Sequence, residues 1–109
     1  MNYSFHPSAR VELDEAVSYY EDCQAGLGLQ FAKEVYSAVH RILQFPQAWP
    51  HLSENTRRCL TNRFPFGIVY EILDDEIVII AVMQLNRRPG YWKTRSKSQP
   101  DDQNPVKGS

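Results

Sequence analysis

The chain has 109 residues, 42% hydrophobic and 23% charged, with a net charge of −1 and a pI near 6.3. That length makes one domain burying roughly two-thirds of its unfolded surface. The absence of any apolar run near the roughly 20 residues of a membrane helix, and of a basic then apolar leader in Met1–Pro7, points to a cytoplasmic protein with no membrane partner. The low pI argues against broad phosphate-driven binding, which goes with values above about 9.

Asn2 to His6 alternates, with Tyr3 and Phe5 on one side, and reads as a strand. Pro7-Ser8 opens a helix, with Pro preset for the first turn and Ser as its cap. Ala9, Leu13, Ala16, Val17 and Tyr20 recur at three-to-four spacing as its apolar face, leaving Glu12, Asp14, Glu15, Glu21 and Asp22 on a solvated face, and Gly26 ends it. A second helix runs from about Leu29 to Phe45 on a stripe of Phe31, Val35, Ala38 or Val39, Ile42 and Leu43, and Pro46 stops it. The short joint makes the two an antiparallel hairpin.

Residues 46–56 read as a loop. Three strands follow: Arg57 to Arg63, Phe66 to Leu73 and, after an Asp74-Asp75 turn, Glu76 to Met83. The last is apolar on both faces, the mark of a central strand with both sides covered. From Ser96 the chain is nearly devoid of apolar residues, so the reading is a domain over 1–95 and a disordered tail over 96–109. The order β-α-α-β-β-β gives an α+β fold, a helical hairpin on a small, mostly antiparallel sheet.

Charge is uneven. Residues 1–54 carry three Lys/Arg against seven Asp/Glu, and residues 55–95 carry seven against four. The basic excess gathers at Asn86-Arg87-Arg88-Pro89-Gly90-Tyr91-Trp92-Lys93-Thr94-Arg95, with Arg57, Arg58 and Arg63 on the first strand of the meander. Guanidinium forks suit phosphates and carboxylates, and aromatic faces suit bases, so this corner fits nucleic acid or an acidic protein. The plain alternative is that the arginines decorate the sheet end and pair with Asp74, Asp75 and Glu76. Trp49 and Trp92 read as packing residues, and Tyr19, Tyr20 and Tyr70 as core or core edge. His6, His40 and His51 have no metal-ligand spacing, and Cys23 and Cys59 read as reduced thiols, so neither metal nor cofactor is expected.

Several pieces, in order, carry a resemblance: Pro7-Ser8-Ala9, Leu13-Asp14-Glu15-Ala16, Tyr19-Tyr20-Glu21, Gly26-Leu27-Gly28 with Phe31, Pro46, Trp49-Pro50, Arg57-Arg58, Phe64-Pro65-Phe66, Ile68-Val69-Tyr70 and Arg87-Arg88-Pro89-Gly90-Tyr91-Trp92 with Arg95. Over about residues 3–95 the chain resembles the RelE/ParE superfamily of type II toxins. The resemblance implies a cognate antitoxin partner and one of two targets: DNA gyrase, inhibited without cleavage as by ParE-like plasmid stabilisation proteins, or messenger RNA, cut in the ribosome by RelE-like endoribonucleases without a metal. A third reading is an inactive toxin fold that acts only with its antitoxin.

For a nuclease, Arg58, Arg63 and Arg88 would clamp the phosphate and Tyr91 would stack on a base or move a proton. For a protein inhibitor, Arg57, Arg87, Arg88, Tyr91, Trp92, Lys93 and Arg95 would meet the target or the antitoxin. Similar sequences with this ending often carry His where this chain has Gln84, and Gln cannot shuttle a proton. With one lysine in residues 55–95 and a low pI, the balance falls to gyrase inhibition. The antitoxin is expected to lay a helix or strand along the helical hairpin and the sheet edge, with acidic side chains toward Arg87, Arg88 and Arg95.

Overall fold

Two helices cover one face of a four-stranded sheet, and the chain's C-terminal turn covers part of the other. The computed structural model describes residues 1–88 and 90–96, so the expected tail lies outside the described residues apart from Ser96. The elements are β1 (Asn2–Phe5), α1 (Pro7–Cys23), α2 (Leu27–Gln44), β2 (Arg57–Leu60), β3 (Phe66–Leu73), β4 (Glu76–Gln84) and a 3-10 turn at Lys93–Arg95. The sheet order is β1-β4-β3-β2, with β1 parallel to β4 and the other pairs antiparallel. The α+β reading, the element order and the central place of β4 are as the sequence implied.

The helix-side core takes Ala9 and Leu13 from α1, Phe31, Val35, Ala38, Val39 and Ile42 from α2, and Phe66, Ile68, Tyr70, Ile77, Ile79 and Val82 from the sheet. Both Ala38 and Val39 are buried, so the stripe of α2 is wide enough to include each. Tyr20, Phe31, Phe64 and Phe66 close one end with ring centroids 4.8–6.2 Å apart, mostly edge-to-face. On the opposite face Val69, Val78, Ile80, Ala81, Met83 and Trp92 pack together. A bulge lets β4 serve both cores. Val69 pairs with Ala81 and Tyr70 with Ile79, leaving Ile80 extra, so Ile80 and Ala81 turn to the same face and Val82 returns to the helix side.

Several boundaries differ from the sequence reading. The cap of α1 is His6, whose Nδ1 accepts the Ser8 N–H at 3.1 Å; Pro7 has no N–H to be capped and sits at the first helical position. Gly26 does not end α1, which stops at Cys23; it stands at the N-terminus of α2 with φ +89. Having no side chain, it cannot cap that helix itself. Glu21 does so, its carboxylate accepting the N–H groups of Gly26 and Gly28 at about 3.0 Å while the residue stays on the exposed face. The first meander strand ends at Leu60, because Thr61 turns the chain by donating its hydroxyl to the carbonyl of Phe64, and Arg63 falls in that turn.

A Cβ at Gly28 would lie 2.6 Å from the Val17 carbonyl oxygen, so the hairpin is closed by backbone approaching backbone. Gly28→Ala is expected to cost about 1–3 kcal/mol, the range of overpacking in a tight contact, read as a lower urea midpoint at unchanged slope.

Candidate functional site

β1 pairs with β4 only as far as Phe5 opposite Ile79, so beyond that point the edge of β4 meets no strand. Side chains take its place. The Val82 N–H donates to Glu12 Oε1 at 3.0 Å, and Arg95 Nη1 donates to the Ile80 carbonyl at 3.1 Å. Arg95 Nη1 also lies 3.1 Å from Glu12 Oε1, in an ion pair whose side chains are 17% and 13% exposed. Glu12 therefore leaves the solvated face that its helical position suggested. The period of α1 puts Glu12 off the apolar stripe, and only the open β4 edge gives it a partner.

This pair moors the C-terminal segment over the sheet. Trp92 is 2% exposed and packs in the second core, as expected of a packing residue. Tyr91 is half-buried, with the guanidiniums of Arg87 and Arg95 at 4.0 and 5.2 Å from its ring centre. Its phenol pKa is pushed up by burial first and by the Glu12 charge next, against an opposing pull from Arg87 and Arg95. Ser96 Oγ donates to the buried Glu71 carboxylate at 2.6 Å on the same face.

The cationic residues separate by role. Arg57 donates to the carbonyls of Gln47 and Trp49 at 3.1 and 2.7 Å and pins the loop before β2. Arg63 lies on the helix side, 2.9 Å from Gln30 Oε1 and 3.6 Å from Glu34, in an exposed pair of small energetic weight. Arg58, Arg87 and Lys93 converge. With Leu52, Met83 and Trp92 they line a cavity of about 180 Å³ on the face away from the helices. Arg88 is exposed nearby in sequence, just before the residue that is not described. Among the described residues no ion pair involves Asp74, Asp75 or Glu76, which sit at the far end of the β3–β4 hairpin.

Arg87 also borders a second concavity, of about 490 Å³, between α1 and the open edge of β4. Ala16, Tyr20, Phe66 and Val82 line it beside Gln84. Tyr19 lines it too; at 63% exposure it is not core, but packs edge-on against Tyr20 at 5.2 Å. The sequence pattern identified most of these residues singly. The groove they make was not legible, because it exists only where β1 stops short. The histidines stand apart from both concavities: His6 caps α1, His40 is on α2 and His51 bridges to Arg57.

The family model for the ParE toxin of the type II toxin–antitoxin system, parDE, matches residues 3–89. The chain belongs to the ParE toxin family. The fold agrees: a solved structure titled "Chromosomal ParDE TA system from P. aeruginosa" superposes with a TM-score of 0.67 at 21% identity, over 78% of this chain and 96% of that one. No curated protein sequence matches. As a ParE-family toxin the chain has a cognate antitoxin as partner, and no described helix is long and apolar enough to cross a membrane.

Removing Glu12 would strand Arg95 and leave the Val82 N–H unpaired. Glu12→Ala is expected to cost about 3–5 kcal/mol in urea unfolding, the range for breaking a buried pair, and the Glu12→Ala, Arg95→Met double variant less than the two single costs together.

Burial also pushes the Tyr70 pKa up to about 12, against an opposing pull from Arg57. The unfolded chain releases tyrosine protons near 10.0. The folded chain holds them longer, so this contribution to stability is complete below pH 10 and is lost as pH rises toward 12. Tyr70→Phe should flatten the fall of unfolding free energy over that range.

Proposed function

We propose that this ParE-family toxin acts by binding a protein target, DNA gyrase, and not by cutting RNA. The observation that carries the reading is that, among the described residues, no histidine lines either concavity at the cationic end of the sheet. Tyr91 is the one residue there that the nuclease reading assigns proton transfer, and its pKa is raised, not lowered. Gln84 borders the neighbouring groove and cannot take or give a proton. Cleavage at a 2′-hydroxyl calls for such a group; a protein surface does not.

The distribution of cations agrees. Among the described residues Arg57 is held by carbonyls and Arg95 by Glu12, while Arg63 lies apart on the helix side beside Gln30 and Glu34, which breaks up a basic track. Besides the exposed Arg88, what remains is a compact donor cluster of Arg58, Arg87 and Lys93 over an apolar floor, the composition of a protein-binding hot spot. The antitoxin neutralises the toxin by laying an amphipathic segment in the groove beside α1, where Ala16, Tyr19, Tyr20 and Phe66 offer apolar contact.

Induction of the chain alone in cells, followed within minutes by pulses of labelled thymidine and labelled amino acid, tests the target. Thymidine incorporation should fall first. An earlier fall in amino-acid incorporation would reject the gyrase reading. Tyr91→Phe, which keeps the ring between the arginines and removes the ionisable hydroxyl, should arrest growth as the parent does; a loss of arrest with the fold intact would point to proton transfer.

A further inference from the structure

The charged residues that line the 180 Å³ cavity among the described residues are all cationic, Arg58, Arg87 and Lys93, and Trp92 lines it beside them. Trp92 is 2% exposed, yet its Nε1 has no hydrogen-bond partner. Arg58 and Lys93 make no side-chain hydrogen bond or ion pair among the described residues. Gly90, at φ +86, lets the lysine stem pass close: a Cβ there would lie 3.3 Å from Lys93 Cε. Three cations around apolar Leu52 and Met83 fit an anion joined to an apolar group.

Size and setting narrow the anion. The cavity is smaller than the roughly 300–1,000 Å³ of sites that enclose a drug-sized or nucleotide-sized ligand. It accommodates one side chain. Arg87 lines both this cavity and the α1–β4 groove, so a segment lying in the groove passes over Arg87 into the cavity. We infer that the cavity takes one carboxylate side chain, with an apolar neighbour on its floor, from the antitoxin segment that fills the groove. The inference rests on the reading of that groove as the antitoxin's seat and is independent of the target. The same carboxylate occupies Arg58, Arg87 and Lys93, so neutralisation works by filling the cationic cluster that a target would meet.

The indole N–H resonances of the 15N-labelled toxin report the event directly, with Trp49 as the internal control. The probes are N-acetyl-Glu-Leu-amide, N-acetyl-Gln-Leu-amide and a trinucleotide RNA. The Glu probe should shift the Trp92 indole saturably and leave Trp49 in place, and Lys93→Met should weaken it about tenfold, the loss of one charge-assisted contact. In the assembled toxin–antitoxin complex the Glu probe should no longer move Trp92. Equal shifts with the Gln probe, a shift with the trinucleotide alone, no shift with any probe, or a Trp92 indole that still responds in the complex would each overturn the inference. Arrest of DNA synthesis by the free toxin is decided separately by the pulse experiment and is untouched by any of these results.

Discussion

The Glu12 carboxylate joins three parts of the chain that are distant in sequence. It sits on α1, accepts the Val82 N–H of β4 and pairs with Arg95 of the C-terminal turn. A four-residue first strand cannot cover a nine-residue central one, so part of the β4 edge is left to other groups. Unpaired backbone groups near a core are expensive, and here a carboxylate and a guanidinium satisfy two of them while neutralising each other. Because Arg95 is held at that edge, Tyr91 and Trp92 are drawn across the sheet and form its second apolar layer.

That mooring sorts the arginines. A guanidinium has five donors and no acceptor, so one that meets carbonyls or a carboxylate is consumed as structure. Arg57 is used on the loop before β2 and Arg95 on Glu12, while Arg63 stays exposed beside α2. Arg58, Arg87 and Lys93 are left facing a shared cavity. A protein with net charge −1 can thus present a local cationic site without becoming a general binder of polyanions. Tyr91 lies against two of the arginines, and burial raises its pKa.

The groove and the cavity share Arg87 as their common wall. One runs along the open β4 edge under α1; the other lies over the second face of the sheet. In a ParE-family toxin, whose partner is an antitoxin, this arrangement puts the apolar seat and the cationic cluster within reach of a single extended segment. The bulge at Ile80 contributes by turning two successive residues to the second face, which widens the floor under Trp92.

The sequence by itself determined the element order, the apolar stripes of both helices, the double-sided character of β4 and the cationic run near the C-terminus. These follow from periods of 3.6 and 2 and from local turn chemistry, which depend on near neighbours alone. It also carried the family resemblance, since motif order and spacing are properties of the chain. Only the tertiary structure decided which charges are spent and which are free. Glu12 and Glu21 look alike on a helical wheel, yet one closes a sheet edge and the other caps α2, because their partners lie 70 and about six residues away along the chain. Arg58 and Arg57 are adjacent, and the alternation of a strand sends one to the cavity and the other to the loop. The strength of a charge's partner depends on distance in space, and no local pattern encodes a contact that the fold makes only after its strands have paired.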